Sequence, residues 1–246
     1  MPRKNPWLVF LLPFVVFMLV GSLEPTPDKL GGESIGLAIP YNWYPVIYTV
    51  KVALTLAAIA FVLPGYRQFP FRITLLSILV GVVGIFIWIG LCRLDVEHTY
   101  LQPALERIKL GWIIGSGQRA AFDPFKQLAN EPVRAWIFLA TRFFGLALIV
   151  PVIEEFFLRG FIMRFAVDQQ WWEVPFGKVN RLALILGTLV PVLMHPAELL
   201  AAAVWFSLVT WLMLRTRNIW DCVAAHAVTN FLLGIYVITS GNWKLM

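Results

Sequence analysis

Long apolar stretches recur along this chain of 246 residues, near 7–22, 45–63, 73–91, 135–165, 182–195, 197–214 and 219–239. Several approach the ~20 residues that an α-helix needs to cross a bilayer. Their residues do not alternate between polar and apolar, as the strands of a transmembrane barrel do. Charged residues make up only 14% of the chain and hydrophobic ones 59%, whereas soluble domains are about a quarter charged. The expected fold is therefore all-α, a polytopic transmembrane helical bundle of about seven to eight spans, and the protein a multi-pass integral membrane protein.

Basic residues set the expected orientation. Arg3/Lys4, Arg67/Arg72, Arg159/Arg164/Lys178/Arg181 and Arg215/Arg217 fall at alternate ends of successive runs. Short loops rich in Lys and Arg stay cytoplasmic, which places the N-terminus in the cytoplasm and the C-terminus outside. The membrane is the plasma membrane if the source is prokaryotic. The net charge of +6 is then accounted for by these loops, with membrane lipid rather than nucleic acid as the partner. No small-x-small cleavage pattern follows the run 7–20, so it is expected to remain as a first helix. Segment 22–44, with Glu24, Asp28 and Glu33, reads as an aqueous loop. The mixed-charge stretch 93–133, with Trp112 and Gly115-Ser116-Gly117, is expected along the interface. Trp43, Trp171, Trp172, Trp220 and Trp243 suit interfacial belts, and Lys51, Arg142 and Glu198 suit snorkelling or interfacial positions.

Two runs have unusual lengths. From Arg134 to Arg164 a helix would measure about 45 Å, and from Leu182 to His195 only about 21 Å. Pro196 interrupts the chain just afterwards, so the fifth and sixth runs are expected to form a hairpin whose tip is Met194-His195-Pro196. Non-helical backbone at that depth must be sheltered by protein or wet.

The fourth run carries Glu154-Glu155-Phe156-Phe157-Leu158-Arg159. Ionised groups cost roughly 2.5–3.5 kcal/mol each at the centre of a membrane helix, so such a cluster needs partners or a function. Glu155 and Arg159 are four residues apart with the acid first, the favourable order for a helical ion pair. They are expected to support the site. Glu154 is turned about 100° away, off that face, and is expected to act as a general base on water. Counted from the basic flank of each helix, Glu154 lies about 15 Å deep, His195 about 21 Å and His226 about 12 Å. Three helices thus bring polar groups to one layer. His226 and Asn230 are four apart and share a face, where both can donate hydrogen bonds to a developing oxyanion. His195 opposite would help hold the water. Asn218-Ile219-Trp220-Asp221 reads as an N-cap that starts the last helix near Ile219.

Other protease chemistries fit less well. There is no His-Glu-x-x-His motif. Asp95, Asp123 and Asp168 lie outside the spans, and His98 reads as a solvated loop residue. Cys92 and Cys222 form no metal-type spacing. Two readings compete with an intramembrane endopeptidase. One is a catalytically silent membrane scaffold or immunity-type protein. The other is a proton-coupled transporter, which predicts repeated halves, and no internal repeat is visible.

Glu-Glu-x-x-x-Arg at 154–159, a lone His195 near the end of the next span, and His-x-x-x-Asn at 226–230 resemble the CPBP family of intramembrane proteases. This is the group of the type II CAAX prenyl endopeptidases and bacterial Abi proteins. The resemblance covers about 134–240, and implies that this part is the catalytic helical core and 1–133 an N-terminal membrane segment. It implies a buried endopeptidase acting on a peptide or lipidated protein, in CAAX-processing members a prenylated one that loses three C-terminal residues. Glu154 would activate water with His195, His226 and Asn230 would form the oxyanion hole, and Glu155 and Arg159 would support them. Zinc held by Glu154, His195 and His226, or no metal at all, both remain open. The family's second motif has Phe four residues before the histidine, where this chain has Pro191.

Overall fold

The computed structural model of the chain describes residues 5–26, 39–110 and 121–245. Arg3, Lys4, Asp28, Glu33, Trp112 and Gly115-Ser116-Gly117 lie outside these residues. The helices, in chain order, are α1 (Pro6–Gly21), α2 (Tyr44–Tyr66), α3 (Leu75–Arg107), α4 (Pro124–Gln127), α5 (Pro132–Phe165), α6 (Arg181–Met194), α7 (Leu199–Thr216) and α8 (Ile219–Ser240). Among the described residues no strand is present, as the apolar patterning predicts. Helices α2, α3, α5, α7 and α8 are long and apolar enough to cross a membrane. The first and fifth expected spans are apolar helices of only 16 and 14 residues.

Two boundaries differ from the sequence expectation. The third span does not end at 91 but continues as helix to Arg107. The charges at 93–107 do not stop it, because Glu97 is buried and accepts the Leu200 N–H at 2.7 Å. Asp95 bends the helix, adopting the left-handed conformation with φ 46°, and its carboxylate meets His98 Nδ1 at 2.5 Å. His98 therefore sits on a helix rather than in a loop. Helix α5 runs unbroken for 34 residues, with two wide turns, Gly145–Ile149 and Phe156–Ile162, of the i→i+5 type. Such π-turns within α-helices are frequent at functional sites.

The chain divides into two compact units. The first comprises 1–68, 120–154 and 233–246. In it Tyr44 stacks on Phe122 with ring centroids 5.0 Å apart, and Phe122 meets Phe138 at 5.2 Å. Arg142 is buried in this cluster, not snorkelling: its Nη1 donates to the Phe122 carbonyl at 3.2 Å and its guanidinium lies 5.6 Å from the Tyr44 ring centre. Lys51 is buried as well. It pairs with Glu24 and lies over the rings of Phe17 and Tyr48 at 4.2 and 4.5 Å. The aromatic faces attract both cations, so neither needs to reach the headgroups. Trp243 is also buried.

The second unit comprises 69–119 and 155–232. Here α3 approaches α7 and α8 at two glycines. A Cβ on Gly84 would fall 2.1 Å from Cζ3 of Trp205, and one on Gly81 would fall 2.6 Å from Cβ of Val228. Small residues allow such close helix approach where lipid supplies no hydrophobic drive. The Asn218 side chain accepts the Trp220 N–H at 3.2 Å and starts α8 at Ile219, as expected. Asp221 instead accepts the N–H of Thr74, at the start of α3, at 2.7 Å. Arg164 donates to the carbonyls of Gly160, Trp172 and Val174. With its guanidinium 5.6 Å from the Trp171 ring centre, it draws Trp171 into the interior rather than to an interfacial belt.

Gly84→Ala should displace the Trp205 ring and destabilise the protein by roughly 1–3 kcal/mol, the usual cost of overpacking. Thermal unfolding in detergent reads this as a lowered midpoint, whereas Gly90→Ala, at a position with open space around its Cβ, should leave the midpoint nearly unchanged.

Candidate active site

Each motif residue occupies a position its local sequence dictates. Glu154 is the last residue of the first unit and is buried. Glu155, Arg159, His195, His226 and Asn230 all belong to the second unit. Glu155 and Arg159 have no exposed surface at all, 0% each. Arg159 Nη1 lies 3.2 Å from both Glu155 carboxylate oxygens, the ion pair expected from their spacing. Arg159 Nη2 donates to the Phe206 carbonyl on α7 at 3.1 Å.

Glu155 has a second partner that the sequence does not announce. His226 Nδ1 on α8 lies 3.0 Å from Glu155 Oε1. A carboxylate bound to Arg159 can only accept here, so Nδ1 carries the proton. Nε2 is the other ring nitrogen of His226. It accepts when the ring is neutral and donates only when the ring carries both protons. The pair on α5 therefore fixes the tautomer of a ring on another helix, a role outer partners often fill for functional histidines. Asn230 follows one turn later on α8 and is buried with His226.

His195 caps the C-terminal end of α6, and the chain turns through 195–198 before α7 begins at Leu199. The Glu198 N–H donates to the His195 carbonyl at 3.1 Å within this turn. Glu198 is buried rather than interfacial. Pro191, in the place where the family has Phe, is not idle. Its carbonyl accepts from His195 Nδ1 at 2.8 Å, so Nδ1 carries the proton. Trp88 and Phe206 pack against the ring, at centroid distances of 5.7 and 5.4 Å.

Three contributors escape a reading of the sequence alone. Glu97 binds the first turn of α7, 103 residues away in the chain, and so steadies the turn that carries His195. Phe206 and Trp205 pack against His226 at 5.9 and 6.3 Å. Only an unexplained buried acid in a mixed-charge stretch could have pointed to Glu97, and the aromatic pair looks like any lipid-facing run.

Among the described residues, no group of three or more His, Cys, Asp or Glu side chains is arranged to hold a metal ion.

The family model of the type II CAAX prenyl endopeptidase Rce1-like proteins matches residues 135–232. All six motif positions, 154, 155, 159, 195, 226 and 230, fall inside the matched stretch. The match bears out the resemblance read from the motifs and supports, at the level of the family, an intramembrane protease of CAAX type. Neither a curated protein nor a solved structure matches the chain.

Arg159→Met would leave the Glu155 charge buried beside a single imidazole. Breaking a buried pair this way costs about 3–5 kcal/mol, while replacing both partners costs much less. The unfolding midpoint should therefore fall sharply in Arg159→Met and recover in large part in Glu155→Gln/Arg159→Met.

Proposed function

We propose that this protein is an intramembrane endopeptidase that hydrolyses a peptide bond near the C-terminus of a membrane-associated substrate, in the first instance a prenylated CAAX-type protein. The observation that carries this is the family match over 135–232, which contains every residue of the proposed site. The buried anchoring of His226 by Glu155 and Arg159 supports it, because an ion pair that also orients an imidazole serves more than stability.

In the proposed reaction Glu154 takes the proton of the attacking water as general base, and His195 offers Nε2 to the same water. Attack on the scissile carbonyl places negative charge on its oxygen. Asn230 donates a side-chain N–H to that oxygen, and His226 does so through Nε2 when the ring is doubly protonated. The proton held by Glu154 then passes to the leaving amine, so the carboxylate is regenerated and one water is consumed per bond cleaved. Glu155 and Arg159 touch no reacting atom in this scheme and act by holding His226.

Purified protein in detergent, assayed against prenylated and unprenylated peptides ending in a CAAX sequence, tests the proposal. Glu154→Ala should abolish cleavage, and intact activity in that variant would refute the base assignment. Asn230→Ala should lower kcat by about 10²–10³, the usual loss on removing one oxyanion donor, with KM little changed. A wild-type protein that cleaves nothing in a broad panel would favour the silent-scaffold alternative.

A further inference from the structure

Both histidines of the proposed site lean on one side chain. Phe206 of α7 is 1% exposed, and its ring centre lies 5.4 Å from that of His195 and 5.9 Å from that of His226. It meets His226 edge to face at 89° and His195 at 47°. The Arg159 guanidinium carbon sits 5.3 Å from the Phe206 ring centre. The Phe206 carbonyl accepts from Arg159 Nη2 at 3.1 Å and from Thr210 Oγ1 at 2.8 Å. A closed circuit results: Phe206 holds Arg159, Arg159 holds Glu155, Glu155 holds Nδ1 of His226, and the His226 ring returns to Phe206.

Each Nδ1 is already tied, to Pro191 in one case and to Glu155 in the other. Phe206 packs against both rings, so tilt of either would drive it into a neighbour that an interior at close-packed density cannot displace. Aromatic pairs also prefer offset-stacked or edge-to-face arrangements, so the contact has a preferred geometry as well as a shape. An aliphatic side chain of similar volume would fill the space without either property.

We infer that Phe206 is a positioning residue that sets the ring planes of His195 and His226, and so aims both Nε2 atoms for the reaction. Its catalytic consequence rests on the proposed hydrolase function; the ring geometry does not. The chain has only three histidines, so ¹⁵N labelling at histidine gives three pairs of ring signals, with His98 as an internal control on α3. The variants are Phe206→Leu, Phe206→Met as a near volume-conserving alternative should the first fail to fold, and Phe206→Tyr, which keeps the ring. In the aliphatic variants the ring signals of both His195 and His226 should move or broaden while those of His98 stay in place. kcat should fall about tenfold with KM within about twofold, as expected for misaimed but present groups. Phe206→Tyr should restore the signals and the rate. Unmoved His195 and His226 signals in a folded aliphatic variant would overturn the inference, as would wild-type kcat in a variant whose signals have moved. If wild-type protein proves inactive on every peptide, the hydrolase proposal fails while the ring signals still decide what Phe206 does.

Discussion

A carboxylate with no exposed surface, on a helix long and apolar enough to cross a membrane, must find its counter-charge inside the protein. Glu155 finds Arg159 one turn away and His226 on a different helix. Arg159 in turn reaches a carbonyl of α7. Taking either charge out of water is expensive, and attraction offsets that expense only when geometry is good and the remaining hydrogen bonds are made. The consequence is steric as much as energetic. α5, α7 and α8 can approach one another within the second unit only in the register that satisfies this group of polar atoms, and lipid-like packing alone would leave their rotations free. Specification of register is a well-attested use of buried polar groups, and here it delivers an oriented imidazole.

Close backbone approach supplies the rest of the support. Gly81 and Gly84 let α3 lie against α7 and α8, which brings Trp205 of α7 under His226 and Trp88 of α3 against His195. Glu97, on the extension of the same α3, fastens the first turn of α7 just beyond the His195 turn. The aromatic residues are therefore not a generic greasy filling. They bound two rings whose Nδ1 atoms are each tied by a hydrogen bond. In the first unit similar physics recurs with another outcome, since Lys51 and Arg142 are accommodated among tyrosine and phenylalanine rings and stay buried.

The helical class, the membrane habit and the motif residues were legible in the chain because they follow from local quantities: run length, the absence of alternation, and spacings of four. The ion pair between Glu155 and Arg159 and the start of α8 at Ile219 are of that kind. The end of α3 was not, because charges at 93–107 look like an interfacial stretch until the Leu200 N–H is known to meet Glu97. Lys51 and Arg142 misled for the same reason: a long basic side chain snorkels when it has only lipid around it and stays inside when aromatic faces surround it.

By itself the sequence marked out the candidate residues, since only a few polar side chains interrupt the apolar runs. It also determined that His195 stands at a turn, because Pro196 cannot continue a helix. Tertiary structure alone decided that Glu155, read as a partner of Arg159, is shared with His226, that the Pro191 carbonyl holds His195, and that Phe206 lies against both rings. Spacing along one helix fixes a face, whereas a hydrogen bond between helices depends on how far each is rotated and shifted, and those quantities are set by packing among residues far apart in the chain.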